Sequence, residues 1–308
     1  MTKPVAVLYG GISAEREVSL ASGKQCIAAL REAGYTVEPI DVGGDLAALV
    51  AALRDARPDA VFNTLHGRYG EDGCIQGVLD WLGLPYTGSG LRASALAMDK
   101  PAAKAMFAAA GLPVAPHRLV TPAELEAADP LPLPYVLKPP SEGSSVGVSI
   151  IRGGDNRRAQ IARDWTWGSH AMAEPFVAGR EITVAVMGDR PLAVTEIATH
   201  LAFYDYEAKY ADGGSVHTLP APIHPDAAAE AMRVAVEAHR ALGCRGISRA
   251  DFRYDDTAGG EPGRLVLLEV NTQPGMTRTS LVPEQAAHVG IPFPDLCAWM
   301  VEQARHGA

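Results

Sequence analysis

Residues 5–9 (Val5-Ala6-Val7-Leu8-Tyr9) form a continuous apolar run that ends at Gly10-Gly11, and apolar positions then recur at helical spacing over residues 13–33. The chain therefore opens as strand, tight turn and helix. Gly34 can stop that helix, residues 35–42 read as a second strand, 46–56 as a second helix and 60–65 as a third strand. This alternation predicts an open parallel sheet, whose ligands gather beyond the strand ends. Residues 94–104 turn Ala-rich and helical, until Gly111-Leu112-Pro113 breaks the pattern ahead of a loop rich in proline and acid. Residues 135–138 and 146–151 read as a hairpin with Ser141-Glu142-Gly143-Ser144-Ser145 at its tip, where flexible glycine can act as a lid. Strands follow at 182–187, 192–197, 246–254 and 264–270, with an Ala-rich helix over 225–242.

Length and charge narrow what this pattern can serve. At roughly 150 residues per domain, 308 residues predict two domains or three small ones. A composition 47% apolar and 20% charged is that of a globular chain. With 27 basic and 36 acidic residues the net charge is −9, which argues against nucleic acid as a partner. No apolar run approaches 18 residues and the first is too short for a signal-peptide core, so we expect no membrane partner and a cytoplasmic location. Cys26, Cys74, Cys244 and Cys297 lie far apart without a C-x-x-C pair, which fits reduced, packed thiols better than disulfides or zinc.

Candidate chemistry concentrates in a few places. Arg249-x-Asp251 and Glu269-x-Asn271 each have a spacing of two, which puts each pair on one face of its strand. Two carboxylates and an amide oxygen suit a hard cation such as Mg²⁺, although solvent-facing, salt-bridged strand edges give the same pattern. Lys138 is followed by a donor-rich turn through Ser141, Gly143 and Ser144, suited to phosphate oxygens. None of the six lysines is followed by Ser or Thr, so the G-x-x-x-x-G-K-[ST] phosphate loop is absent. Gly88-Ser89-Gly90-Leu91-Arg92-Ala93 matches a loose dinucleotide pattern but lacks the later acidic strand end, and we read it as a turn. There is no H-E-x-x-H and no G-x-S-x-G. His66 sits just past a predicted strand, in a ligand crevice or as a packing residue. Glu15 and Arg16 stand where the first helix opens, a place an acid favours through the macrodipole alone. Residues 204–210 mix aromatic and charged side chains without periodicity, as an ordered functional loop or an interdomain packing segment does.

Taken in order, seven segments resemble the D-alanine:D-alanine ligases of the ATP-grasp superfamily. They are residues 10–19, Leu65-His66-Gly67, residues 85–90, Met98-Asp99-Lys100, residues 142–147, residues 204–210 and residues 269–276, and together they span nearly the whole chain. The resemblance implies an α/β and α+β ATP-grasp fold. It divides the chain into an N-terminal open parallel α/β substrate domain (1–96), a central lobe with a glycine-rich lid (97–178) and a C-terminal lobe with the metal and catalytic residues (179–308), the two lobes clamping ATP. It implies ligation of two D-alanines through an acyl phosphate, with ATP and two Mg²⁺ or Mn²⁺ ions, room for a monovalent cation, a homodimer, and a place in peptidoglycan precursor synthesis. The alternatives are another ATP-grasp carboxylate–amine ligase or a D-alanine:D-lactate ligase.

Residue by residue, the resemblance implies the following roles. Lys100 and Lys138 contact ATP; Glu174 to Val177 is the strand that meets adenine, and Glu181 binds the ribose hydroxyls. Asp251, Glu269 and Asn271 are the metal ligands, while Arg249 and the backbone N–H of Gly275 stabilise the tetrahedral oxyanion. Glu15 pairs with the ammonium of the first D-alanine, with His66 nearby and Ser144 and Tyr210 as hydrogen-bonding partners. Lys209 and Ser280 receive the carboxylate of the second. Pro175, which has no N–H, and Phe176, where some relatives carry Trp, depart from the family pattern, as does the turn Lys138-Pro139-Pro140-Ser141. Tyr210 favours the dipeptide over the ester product. We expect Tyr210→Phe to weaken peptide formation relative to ester formation, measured as the product ratio with D-alanine and D-lactate in competition; an unchanged ratio removes Tyr210 from that role.

Overall fold

The computed structural model describes residues 3–143, 146–199, 215–257 and 259–307. The expectations for Ser144, Lys209 and Tyr210 lie outside the described residues. Strands β1 (Pro4–Gly10), β2 (Thr36–Val42) and β3 (Ala60–Asn63) form a parallel sheet in the order β2-β1-β3, joined by α1 (Arg16–Glu32) and α2 (Leu46–Ala56). Residues 5–8 of the central strand are buried throughout, as the continuous apolar run requires of a strand covered on both faces. Helix α3 (Cys74–Leu82), too short for a clear periodic signal, follows and buries Ile75 and Leu79, one turn apart.

The single Ala-rich helix expected over 94–104 is instead two, α4 (Leu91–Met98) and α5 (Lys100–Ala109). Asp99 adopts an extended conformation and caps α5 by accepting from the Ala102 N–H at 3.0 Å, and Pro101 takes an early position that needs no hydrogen-bond donor. The break leaves the Lys100 N–H free to donate to the Pro140 carbonyl at 2.9 Å, tying α5 to the turn after the next lysine.

The second sheet takes β4 (Arg118–Val120), β5 (Tyr135–Lys138), β6 (Ser149–Ile151) and β7 (Ala171–Pro175) in the order β4-β7-β5-β6, flanked by α6 (Pro122–Ala127) and α7 (Arg158–Arg163). The expected hairpin is present as the β5/β6 pair, but β6 starts at Ser149 rather than 146 because Val146 closes a turn onto Gly143 and Gly147 follows in the left-handed region.

The third sheet is antiparallel: β8 (Arg180–Met187), β9 (Arg190–Thr199), β10 (Ser215–Thr218), β11 (Ile247–Asp255) and β12 (Arg264–Asn271), in the order β10-β9-β8-β11-β12. Helix α8 (Pro225–Leu242) lays Ala231, Val234, Ala235 and Leu242 over Val184, Phe252 and Leu267. Of the two last helices, α9 (Leu281–His288) packs on β8 and β9, and α10 (Phe293–Glu302) returns to the first sheet, where Leu296, Met300 and Val301 pack with Val5, Val7, Leu30 and Phe62. Gln285 of α9 is fully buried at the irregularity between Val184 and Val186. Its carbonyl oxygen accepts from the N–H of Ala185 (2.8 Å) and Ala193 (3.4 Å), and its amide donates to the Thr183 carbonyl (3.2 Å) and Thr195 Oγ1 (3.0 Å). Among the described residues no helix is long and apolar enough to cross a membrane.

Gly179, between β7 and β8, links the second and third sheets. Its φ is +83°, and a Cβ there would stand 2.1 Å from the Tyr254 carbonyl oxygen, which is backbone and cannot swing away. We expect Gly179→Ala to cost about 2–4 kcal/mol in urea unfolding, from the combined left-handed strain and backbone clash; a loss below about 0.5 kcal/mol would contradict this account.

Candidate active site

The two polar strand pairs meet directly. In the β11/β12 ladder Asp251 is opposite Glu269 and Arg249 is opposite Asn271, so all four side chains occupy one face of adjacent strands. Arg249 chelates Asp251, with Nε to Oδ1 at 2.8 Å and Nη2 to Oδ2 at 2.7 Å, and Thr183 Oγ1 of β8 donates to Asp251 Oδ1 at 2.6 Å. Lys100 Nζ stands 3.6 Å from Glu269 Oε2 and donates to the Glu142 carbonyl at 2.5 Å. Asn271 Oδ1 accepts from the Gln273 N–H at 2.8 Å, turning the chain out of β12 into the loop that carries Gly275.

Two cavities lie on either side of this cluster. One, of about 310 Å³, is lined by Glu15, His66, Glu71, Arg249, Asn271, Gly275 and Ser280. The other, of about 440 Å³, is lined by Lys138, Glu174, Phe176 and Val177. Lys100, Glu181, Asp251 and Glu269 line both and form their common wall. The predicted site residues that are described thus all face one cavity or the other, but Lys138, Glu174 and Val177 stand apart from Glu15, His66, Gly275 and Ser280.

In the first cavity, Ser13 joins the opening of α1 to the loop after β3. Its hydroxyl donates to the His66 carbonyl at 2.7 Å and accepts from the Glu15 N–H at 3.2 Å. Gly67, at φ +65°, lets that loop approach Glu15, since a Cβ there would lie 2.7 Å from Glu15 Oε2. Burial pulls the His66 imidazole down to about 4, so it is neutral at pH 7, and its Nε2 has no hydrogen-bond partner among the described residues. Glu71 goes the other way: burial first, and then the Glu15 carboxylate, push it up to about 8. Across the cavity, Ser280 Oγ accepts from the Thr277 N–H at 3.1 Å. A Cβ on Gly275 would stand 3.0 Å from that hydroxyl, a tight contact with the Ser280 side chain.

In the second cavity, Glu174 receives Lys138 on one carboxylate oxygen and Lys104 on the other. Burial, with Lys100 and Lys104 nearby, lowers the Lys138 ammonium to about 7. Asp251 and Glu269 of the common wall, with Asn271 next to them in the first cavity, are hard oxygen donors, the set that suits Mg²⁺ or Mn²⁺ with phosphate oxygens filling the remaining positions. Among the described residues no group of three or more His, Cys, Asp or Glu is placed to hold a metal ion.

Several site residues escape sequence reasoning. Glu71 belongs to the His66 loop, but only the fold shows that it is buried beside Glu15. Thr183 carries no signal beyond strand alternation. His217 lines the first cavity and meets Glu284 at 2.7 Å through Nδ1, a pairing across 67 residues. The Gly88 segment is a packing junction: Arg245 Nε donates to the Gly88 carbonyl at 3.0 Å, and Gly246 backs onto Gly88. All four cysteines are free; Cys26 and Cys297 are buried, and Cys74 is exposed.

A glycine-rich hairpin and an antiparallel sheet that enclose a lysine-lined cavity, with acidic side chains at its inner wall, define an ATP-grasp enzyme. Residues 106–302 match the family model for the C-terminus of D-ala D-ala ligase, and residues 47–89 match that for its N-terminus. The D-alanine–D-alanine ligase of Granulibacter bethesdensis is 66% identical over 300 residues, covering 97% of each chain, and that of Acidiphilium cryptum is 68% identical over 302 residues, covering 98% of each. The crystal structure of D-alanine–D-alanine ligase from Bacillus anthracis superposes with a TM-score of 0.83 at 30% identity, covering 98% of this chain and 97% of that one, and its complex with ATP gives 0.82 at 28%. The chain belongs to the D-alanine–D-alanine ligase family.

Glu71 yields a pH prediction. Its folded value of about 8 lies above its ordinary 4.5, so its contribution to stability is complete below about 4.5 and is lost as pH rises through 8. Glu71→Gln removes that loss. Urea unfolding should show the variant gaining on the wild type by more than about 1 kcal/mol between pH 5 and pH 9; a difference that does not change with pH would contradict this assignment.

Proposed function

We propose that this protein joins two D-alanines into D-alanyl-D-alanine, converting ATP to ADP and phosphate, for peptidoglycan precursor synthesis. The observation that carries the reading is the common wall: a nucleotide in the second cavity and an amino acid in the first would meet at Lys100, Asp251 and Glu269. In the first half-reaction the carboxylate of one D-alanine attacks the γ-phosphoryl group, giving D-alanyl phosphate and ADP. In the second, the amine of another D-alanine attacks the acyl carbon, and phosphate leaves after the tetrahedral stage.

Each residue has a physical reason for its proposed role. Glu15 receives the first ammonium, and Glu71 beside it ionises more readily once that positive charge is bound. Neutral His66 offers its unpartnered Nε2 to the same substrate. Arg249 and the Gly275 N–H stabilise the oxyanion, a kind of interaction in which one donor is worth about 3 kcal/mol. Asp251 keeps Arg249 in place through the two-point contact. Ser280, at the start of α9, takes the carboxylate of the second D-alanine with Lys209. Lys100 and Lys138 neutralise the nucleotide's phosphates, Glu174 and Val177 border the base, and Glu181 borders the ribose. Ser144 and Tyr210 complete the first-substrate site. Asp251, Glu269 and Asn271 would hold two Mg²⁺ or Mn²⁺ ions, which when bound spread the charge that builds on the transferring phosphoryl group. We extend the reading to the domain division 1–96, 97–178 and 179–308, to a homodimer, and to a cytoplasmic location.

The decisive experiment supplies purified protein with ATP, MgCl₂ and D-alanine and follows the dipeptide by mass, with L-alanine and D-lactate as comparison substrates. Formation of D-alanyl-D-alanine with one ADP per peptide bond is expected; no nucleotide consumption would overturn the reading. In the same assay Glu269→Gln should need at least about tenfold more Mg²⁺ for half-maximal turnover. A wild-type metal profile in that variant would remove Glu269 from the ligand set.

A further inference from the structure

Lys104 is a charged residue that the mechanism above does not use. It lies on α5 with only 2% of its surface exposed, and it does not line either cavity. Its ammonium reaches Glu174 Oε1 from behind the nucleotide cavity, while Lys138 reaches Oε2 from within it. Glu174 is itself 4% exposed, on β7. One buried carboxylate therefore holds two ammonium groups, one of which also belongs to the proposed phosphate site.

We propose that Lys104 is a positioning residue for nucleotide selection: it keeps Glu174 ionised when Lys138 turns from that carboxylate to the phosphates of a bound nucleotide. The inference rests on the proposed reading of the second cavity as the ATP site. Without Lys104, the departure of Lys138 would strand a buried carboxylate, which would then take up a proton. The difference matters for recognition of the base. An ionised carboxylate only accepts hydrogen bonds, so it favours a purine that presents an amino group over one that presents a carbonyl oxygen, whereas a protonated carboxyl both donates and accepts and loses that preference. Burial brings the Lys104 ammonium down to about 8, which leaves it mostly charged at neutral pH.

The test compares ATP with inosine triphosphate, whose base carries a carbonyl in place of the amino group, in wild type, Lys104→Met, Lys104→Arg and Glu174→Gln, by steady-state kinetics with saturating D-alanine. Lys104→Met should raise KM for ATP about tenfold, change kcat by less than about threefold and narrow the ATP-to-inosine-triphosphate ratio of kcat/KM about tenfold; Lys104→Arg should keep the wild-type ratio. A folded Lys104→Met enzyme with wild-type KM and ratio overturns the inference. Should that variant fail to fold, Lys104→Met/Glu174→Gln removes the pair as a unit and must show the same narrowed ratio as Glu174→Gln alone. Wild-type discrimination in either of those two overturns the inference as well. A wild-type protein that consumes neither nucleotide would instead mark the failure of the ATP-site reading.

Discussion

Asp251 and Glu269 face each other across the β11/β12 ladder, and like charges directly opposite in an antiparallel pair destabilise it. The sheet can carry this arrangement because each carboxylate has a partner from another part of the chain. Arg249 and Thr183 hold Asp251 from the same sheet, and Lys100 reaches Glu269 from the start of α5. The start of α5 depends in turn on the break at Asp99, which ties Lys100 to the Pro140 and Glu142 carbonyls. Placing the acidic wall thus also places the floor of the glycine-rich turn.

The same wall makes one site of two cavities. The loop that leaves β12 is stitched to the first sheet at several points: Gln273 Nε2 donates to the Asn63 carbonyl at 2.8 Å, and the Met276 N–H donates to Ser22 Oγ of α1 at 3.3 Å. Gly275 lies between these two anchors. The Gly275 N–H, which we propose as an oxyanion donor, is thereby kept in a fixed relation to Glu15 and His66, which hang from the first sheet. Preorganised donors owe their catalytic value to this kind of fixed placement. Gln285 adds a link from the other side, since it binds the carbonyl of Thr183, whose hydroxyl grips Asp251.

How far the sequence reveals this depends on the distance over which each feature is encoded. Spacing of two within Arg249-x-Asp251 and Glu269-x-Asn271 is local and legible, as are the parallel alternation of residues 4–63 and the helix Pro225–Leu242. Register is not local: a slip of one residue between β11 and β12 would put the two pairs on opposite faces, and nothing in either strand alone forbids it. The break at Asp99 has a readable signal in an N-cap residue two places before Pro101, but the alanine run around it masks that signal. Glu71, Lys104 and Gln285 look like ordinary loop or helix residues. Their importance comes from burial beside partners such as Glu174, 70 residues from Lys104, which no periodicity encodes. The resemblance to the ligase family supplies roles that spacing cannot, while the geometry adds groups that the resemblance does not mention.

Helix α10 closes the apolar side of the first sheet, with Leu296 and Met300 against Val5 and Phe62, and Arg305 pairs with Tyr86 beyond the sheet's edge. A ribosome makes the sheet, Pro4–Asn63, more than 200 residues before it makes α10, Phe293–Glu302. While the middle of the chain is being made, the β2-β1-β3 sheet is already outside the exit tunnel with that side bare, the kind of exposed surface that chaperones guard. Glu15, His66 and Glu71 hang from this sheet, so the cavity they line takes its final shape only when the last helices dock. Docking of α10 and the shaping of that cavity are thereby coupled.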